Sequence, residues 1–281
     1  MRRLIASIAI ASIALALLTG SVSLAATAGP ERIEIPLAEG TVKGVLYRPE
    51  GAGPFPAVVG LHHCGGLTNS AGAVTTRYRD WGQHLAQAGF AVLYPDSYGS
   101  RGLANQCGVR ARSVRNNRER VADAHAARRW LQNQSFITAD RISLLGWSSG
   151  GITTLWAVRG RTAAPDGADF RFAVALYPGC RRLGNSAWSA RVPTLILIGR
   201  ADDQTSAAAC EQMVAGARGR SARVAIHVYP GAYHDFDHPN RPVQVRSGYA
   251  FSTDGTGRVH SGTNAAARAD ALKRVPEWLS R

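Results

Sequence analysis

The chain has 281 residues, 45% hydrophobic and 19% charged, which excludes a disordered or fibrous protein and fits one large globular domain. A core of that size buries roughly three quarters of the unfolded surface, so no metal or disulfide is needed merely to fold. The formal charge of +14 is almost all arginine, with Lys43 and Lys273 the only lysines, and such a field attracts anionic surfaces or substrates. The densest run, Arg110 to Arg129, lacks interleaved aromatics and falls in a predicted helix, so it reads as a solvated helix face and not as a nucleic-acid site.

In chain order, Met1-Arg2-Arg3 precedes an apolar run from Leu4 to Leu18 and two small-residue exits, Ser23-Leu24-Ala25 and Ala26-Thr27-Ala28. That is the pattern of a secretory signal peptide, here residues 1–25, with 28 as the later cleavage point. A retained leader would instead anchor the chain in a membrane. One domain then occupies 29–281, exported to the periplasm or secreted, with no further segment apolar enough to span a bilayer.

A hairpin is predicted over 31–37 and 41–48, followed by a buried strand at 56–61, a helix at 78–89 and a strand at 90–94. A long loop, 96–107, leads to a helix from 111 to 132. A strand at 140–145 runs into Gly146-Trp147-Ser148-Ser149-Gly150-Gly151, with a helix at 152–159 directly behind. Further strands fall at 172–177, 194–198 and 224–228, and helices at 206–218 and 263–280. Strand and helix alternate throughout, which is an α/β pattern. Residues 180–193 are too few for a helical cap, so a comparatively open site is expected.

The Gly146-x-Ser148-x-Gly150 motif between a strand and a helix carries the chemistry. A sharp turn there lifts the hydroxyl above the sheet, and small neighbours avoid a clash within it. The helix behind points its positive end at a developing oxyanion. Gly199-Arg200-Ala201-Asp202 puts a carboxylate at the end of another strand, and Tyr229-Pro-Gly-Ala-Tyr-His234 puts an imidazole after the next. The order Ser, Asp, His is that of α/β-hydrolases. Ser148 is the expected nucleophile, His234 its base and Asp202 the acid that orients the ring, with Asp203 the alternative. The oxyanion is expected to meet the backbone N–H groups of Ser149 and Cys64, with His63 the alternative to Cys64. His62, His63 and the His234/His238 pair read as structural or pocket-lining, not as metal ligands.

The four cysteines, Cys64, Cys107, Cys180 and Cys210, favour disulfides in an exported chain and allow three pairings. Cys64–Cys107 and Cys180–Cys210 are preferred, because each pair falls in loops at the same end of neighbouring strands.

His62-His-Cys-Gly-Gly-Leu67, Tyr94-Pro-Asp-Ser-Tyr-Gly-Ser-Arg-Gly102, Gly146-Trp-Ser-Ser-Gly-Gly151, Gly199-Arg-Ala-Asp202 and Tyr229-Pro-Gly-Ala-Tyr-His-Asp-Phe236 together resemble the dienelactone hydrolase family. The resemblance implies a three-layer α/β/α fold with a mainly parallel, roughly eight-stranded sheet and no large cap. It also implies no cofactor, and cleavage of a small ester or lactone through an acyl-enzyme. Members proper carry cysteine where this chain has Ser148, and glutamate where it has His63, so the likeness bears on the reaction more than on the substrate. His63, Tyr98, Arg101, Trp147 and Tyr177 are the expected substrate-binding residues. Arg101 is read either as a carboxylate ligand or as a brace to Asp96, and Trp147 either as a pocket wall or as packing under the turn. A cutinase-like polyesterase is the alternative enzyme, and a non-catalytic binder of an anionic envelope polymer is the alternative of another class.

Overall fold

Runs of Val, Leu, Ile and Ala at Phe55–Leu61 (β3), Ala91–Pro95 (β4), Ile137–Trp147 (β5), Ala173–Leu176 (β6) and Thr194–Gly199 (β7) are buried along most of their length. Such runs belong to parallel strands covered on both faces. In the computed structural model, which describes residues 29–161 and 167–281, they form one sheet with Glu31–Pro36 (β1), Thr41–Tyr47 (β2) and Val224–Tyr229 (β8). The spatial order is β1-β2-β4-β3-β5-β6-β7-β8. β2 is antiparallel to β1 and β4, and every pairing from β4 to β8 is parallel. This is the expected three-layer architecture, without a large cap. The leader read at residues 1–28 lies outside the described residues. No helix among the described residues is long and apolar enough to cross a membrane.

The helices are Thr76–Gln87 (α1), Glu119–Gln132 (α2), Ser149–Ala157 (α3), Arg181–Gly184 (α4), Ala207–Ala217 (α5) and Ala265–Leu279 (α6). α2 packs on α3 and against β5. Because β3 continues to β4 on one side while β5 continues to β6 on the other, the strand order reverses between β3 and β5. A crevice opens at such a point beyond the carboxyl ends of the strands.

Two readings need correction. The helix predicted from 111 starts only at Glu119, whose carboxylate turns back to accept the Arg115 backbone N–H at 2.7 Å and its guanidinium at 2.7 Å. The arginine run is a solvated face only in part, since Arg110, Arg115 and Arg118 are exposed whereas Arg120 and Arg128 are 0% exposed. A hairpin of Gln244–Arg246 (β9) and Val259–Ser261 (β10), outside the main sheet, was not anticipated. It arises in an excursion between His234 and α6 that partly fills the place of a cap. Ala250 N–H donates to the Cys107 carbonyl at 2.9 Å, and Thr253 N–H to the Asp203 carbonyl at 2.7 Å. The excursion thus bonds to the loop after β4 and the loop after β7, and it returns beside His234, whose carbonyl accepts the Gly262 N–H at 3.0 Å.

Candidate active site

The turn from β5 into α3 places Ser148 at φ 53° and ψ −113°, a conformation few side-chain-bearing residues adopt. Its neighbours explain how the strain is tolerated. A methyl group on Gly146 would strike the carbonyl of Gly150, and one on Gly150 would strike the carbonyls of Leu61 and His62. The motif therefore requires glycine at both positions, and it presses the turn directly against the loop after β3.

Ser148, His234 and Asp202 come together at the carboxyl edge of the sheet. The Ser148 hydroxyl lies 2.9 Å from His234 Nε2, and His234 Nδ1 lies 2.8 Å from Asp202 Oδ2. Asp202 is itself fixed. Its Oδ1 accepts the N–H groups of Gln204 and Thr205 at 3.0 and 2.8 Å, and its Oδ2 also accepts the Thr205 hydroxyl at 2.9 Å. Burial pushes the His234 pKa down, but the adjacent Asp202 carboxylate more than offsets this, and the net shift is upward from 6.5. Asp203 is elsewhere engaged, with His260 Nδ1 at 2.7 Å and the His260 N–H at 2.8 Å.

The loop after β3 distinguishes its two candidate donors. The His63 N–H donates to the Tyr78 hydroxyl at 2.7 Å, so it is already used. Among the described residues no acceptor takes the N–H of Cys64. Ser149, the first residue of α3, likewise has an N–H that the helix cannot satisfy. Cys64 is bonded to Cys107, and Cys180 to Cys210.

The expected substrate-binding residues mostly have other tasks. Trp147 is 0% exposed and donates Nε1 to Asp237 at 2.8 Å, so it packs under the turn and is no pocket wall. Tyr177, also buried, donates its hydroxyl to Asp237 at 2.6 Å while its ring lies 4.5 Å from that of His234. Arg101 forks onto Asp123 at 2.7 and 2.9 Å, which replaces both the carboxylate-ligand role and the brace to Asp96. Tyr98 is buried against His62, and His63 contacts Tyr78.

Sequence reasoning missed the buried ions that hold the imidazole loop. Asp237 also accepts Trp81 Nε1 at 2.7 Å. Asp235 pairs with Arg77 at 2.7 Å and Arg241 at 3.1 Å. Burial alone would raise the Asp235 carboxyl, but Arg77 holds it well below the ordinary range. Two aspartates flanking Phe236 directly after His234 were the visible signal.

Four other histidines are kept neutral by burial. His62, next to Arg120, lies well below 6.5, His63 is pushed down to about 3, and His125 and His238 to about 4. Each binds a proton more readily in the unfolded chain, so its stabilisation is complete above about pH 6.5 and is lost as pH falls toward the folded pKa. His234 works in the opposite sense, its stabilisation being lost as pH rises through its raised pKa. Four against one, the expectation is a melting temperature that falls steadily from pH 7 to about 5. Each such histidine contributes a slope of at most about 1.4 kcal/mol per pH unit, approached only below about pH 6.5. A flat melting curve across that interval would contradict it.

The sequence model of the dienelactone hydrolase family matches residues 42–281. Among solved structures, the chain is similar to a candidate dienelactone hydrolase from Klebsiella pneumoniae subsp. pneumoniae, with 21% identity, a TM-score of 0.69, and 90% of this chain and 98% of that one covered. It is similar to a dienelactone hydrolase from Anabaena variabilis, with 19% identity, a TM-score of 0.62, and 89% and 97% covered. It also resembles esterase 2 of Thermogutta terrifontis, phosphorylated by paraoxon, with 17% identity, a TM-score of 0.62, and 90% and 94% covered. At these identities the likeness to each structure is one of fold.

Proposed function

The chain belongs to the dienelactone hydrolase family and is a hydrolase acting on ester bonds, and on that premise we propose that it cleaves a carboxylic ester or lactone through an acyl-enzyme on Ser148. The observation that carries the reading is the unbroken hydrogen-bond line from Ser148 Oγ through His234 to Asp202, at 2.9 and 2.8 Å.

With its proton on Nδ1, donated to Asp202, the His234 ring accepts the Ser148 proton at Nε2 as Oγ attacks the acyl carbon. The carbonyl oxygen becomes an oxyanion and meets the N–H groups of Ser149 and Cys64. When the tetrahedral species collapses, the leaving alkoxide takes the proton from Nε2. Water then attacks the acyl-enzyme by the same route, and Ser148 is restored. The raised His234 pKa suits this double duty, because the imidazolium formed in each half-reaction is stabilised by Asp202.

A small ester or lactone fits this site better than a polyester chain, since Ser148 is only 4% exposed and the 244–261 excursion ends in a bridge between Ser261 and His234. Two disulfides suit an oxidising compartment. Together with the leader at residues 1–25 they support a single exported domain over 29–281, periplasmic or secreted.

The test is covalent. A fluorophosphonate is expected to add once per chain, with the adduct mapping to Ser148 by peptide mass. Ser148→Ala is expected to lose both the adduct and the hydrolysis of short p-nitrophenyl esters. Labelling elsewhere, or turnover retained by Ser148→Ala, would refute the reading.

A further inference from the structure

If Ser149 and Cys64 are to share one oxyanion, the turn after β5 and the loop after β3 must hold a fixed separation. Tyr78 bonds the loop and packs on Trp147, but a second buried side chain hydrogen-bonds to both segments. Arg120, in the first turn of α2, is 0% exposed. Its Nη2 donates to the His62 carbonyl at 2.5 Å, and its Nη1 to the Ser149 hydroxyl at 3.2 Å. Tyr98 closes the arrangement. The Arg120 guanidinium lies 5.0 Å from the centre of its ring, and that ring packs edge-on to His62 at 4.8 Å.

Among the described residues no carboxylate forms an ion pair with Arg120, and its Nε has no acceptor. The Asp96 carboxylate acts on this cation only from beyond ion-pair distance, and a buried cation with no carboxylate in contact is costly to keep for packing alone. It gains interaction energy when negative charge appears nearby, and that happens only as the tetrahedral species forms.

We propose that Arg120 is a positioning residue for the oxyanion hole. It ties the loop after β3 to the nucleophile turn through the His62 carbonyl and the Ser149 hydroxyl, so that both backbone N–H groups face one oxygen. The inference rests on the acyl-enzyme reading above. It differs from a purely structural role in what it affects: the tetrahedral species, and not the bound ester.

The experiment compares wild type with Arg120→Met and Arg120→Lys, using two inhibitors with the same aryl group. A trifluoromethyl ketone forms a tetrahedral adduct with the serine, whereas the matching methyl ketone reports ground-state binding. For Arg120→Met, kcat is expected to fall about 100-fold with KM within about threefold, a loss of the size seen when one oxyanion donor is removed. Affinity for the trifluoromethyl ketone is expected to fall in step, and that for the methyl ketone to hold. Arg120→Lys, which keeps the charge but not the fork, is expected to recover part of the loss. A folded Arg120→Met variant with near wild-type kcat, or equal weakening of both ketones, would overturn the proposal. Should Arg120→Met not fold, Arg120→Lys decides by the same ratio: selective loss of the trifluoromethyl ketone supports the clamp, and its absence overturns it. A wild type that the fluorophosphonate does not label is instead a failure of the Ser148 assignment, and this inference falls with it.

Discussion

Asp202→Asn is expected to leave the protein folded and to lower kcat by about ten-thousand-fold, whereas Asp203→Asn should change it by less than about tenfold. The reason lies in how Asp202 is held. Its Oδ1 accepts two backbone N–H groups, from Gln204 and Thr205. An asparagine side chain would keep its oxygen there and turn its NH2 toward His234. Nδ1 would then have to accept, the ring proton would move to Nε2, and the ring could no longer take a proton from Ser148. The pH profile offers a second reading of the same change. Without the Asp202 carboxylate the largest offset to the burial that depresses the His234 pKa is lost, and Asp235 alone still raises it, so the acidic limb of kcat/KM is expected to move to lower pH. Asp203 is bonded to His260 and belongs to the excursion's anchorage. Equal damage from the two substitutions, measured as kcat/KM against pH, would remove Asp202 from its assigned place.

Gly150→Ala is expected to be the most damaging single methyl group in the molecule. The added carbon would meet the carbonyls of Leu61 and His62, which are backbone and cannot rotate aside. Relief requires the end of β3 and the loop bearing Cys64 to retreat from the turn. Overpacking of this kind costs about 1–3 kcal/mol or more, and in a chain of this size that lowers the melting temperature by about 3–10 °C. The displaced loop adds a loss of about 100-fold in kcat, as for a missing oxyanion donor. Thermal melting and p-nitrophenyl acetate turnover on the same preparation check both effects. Unchanged values for either would mean that the loop does not press on the turn.

The parallel core was legible because strands buried on both faces leave short apolar runs, bounded by turn residues and alternating with helical patterns. The Ser148 turn was legible for a steric reason, as two glycines flank a nucleophile only where Cβ atoms would collide. The chain order of Ser148, Asp202 and His234 conveyed which strand ends would meet. What escaped was of two kinds. β9 and β10 are three residues each, too short for alternation to register, in a stretch rich in glycine and serine. The buried ions escaped because charge normally signals surface: nothing in the run from Arg110 to Arg129 distinguishes fully buried Arg120 and Arg128 from exposed Arg118. Side-chain direction was a third obstacle. Trp147 and Tyr177 sit beside Ser148 and the end of β6 along the chain, yet both aim at Asp237 beneath them, which selects the packing alternative for Trp147 and removes Tyr177 from the pocket.

The hydroxyl of Ser148, the imidazole of His234 and the carboxylate of Asp202, to which the proposed chemistry is assigned, follow the ends of β5, β8 and β7 respectively. Pairings of such long sequence separation are slow to form, and no subset of these strands can supply all three groups. A nascent or partly assembled chain is therefore chemically silent. Reactivity on this reading emerges only once β5, β7 and β8 are aligned side by side, so the recovery of ester turnover during refolding reports assembly of that half of the sheet and not of any single strand.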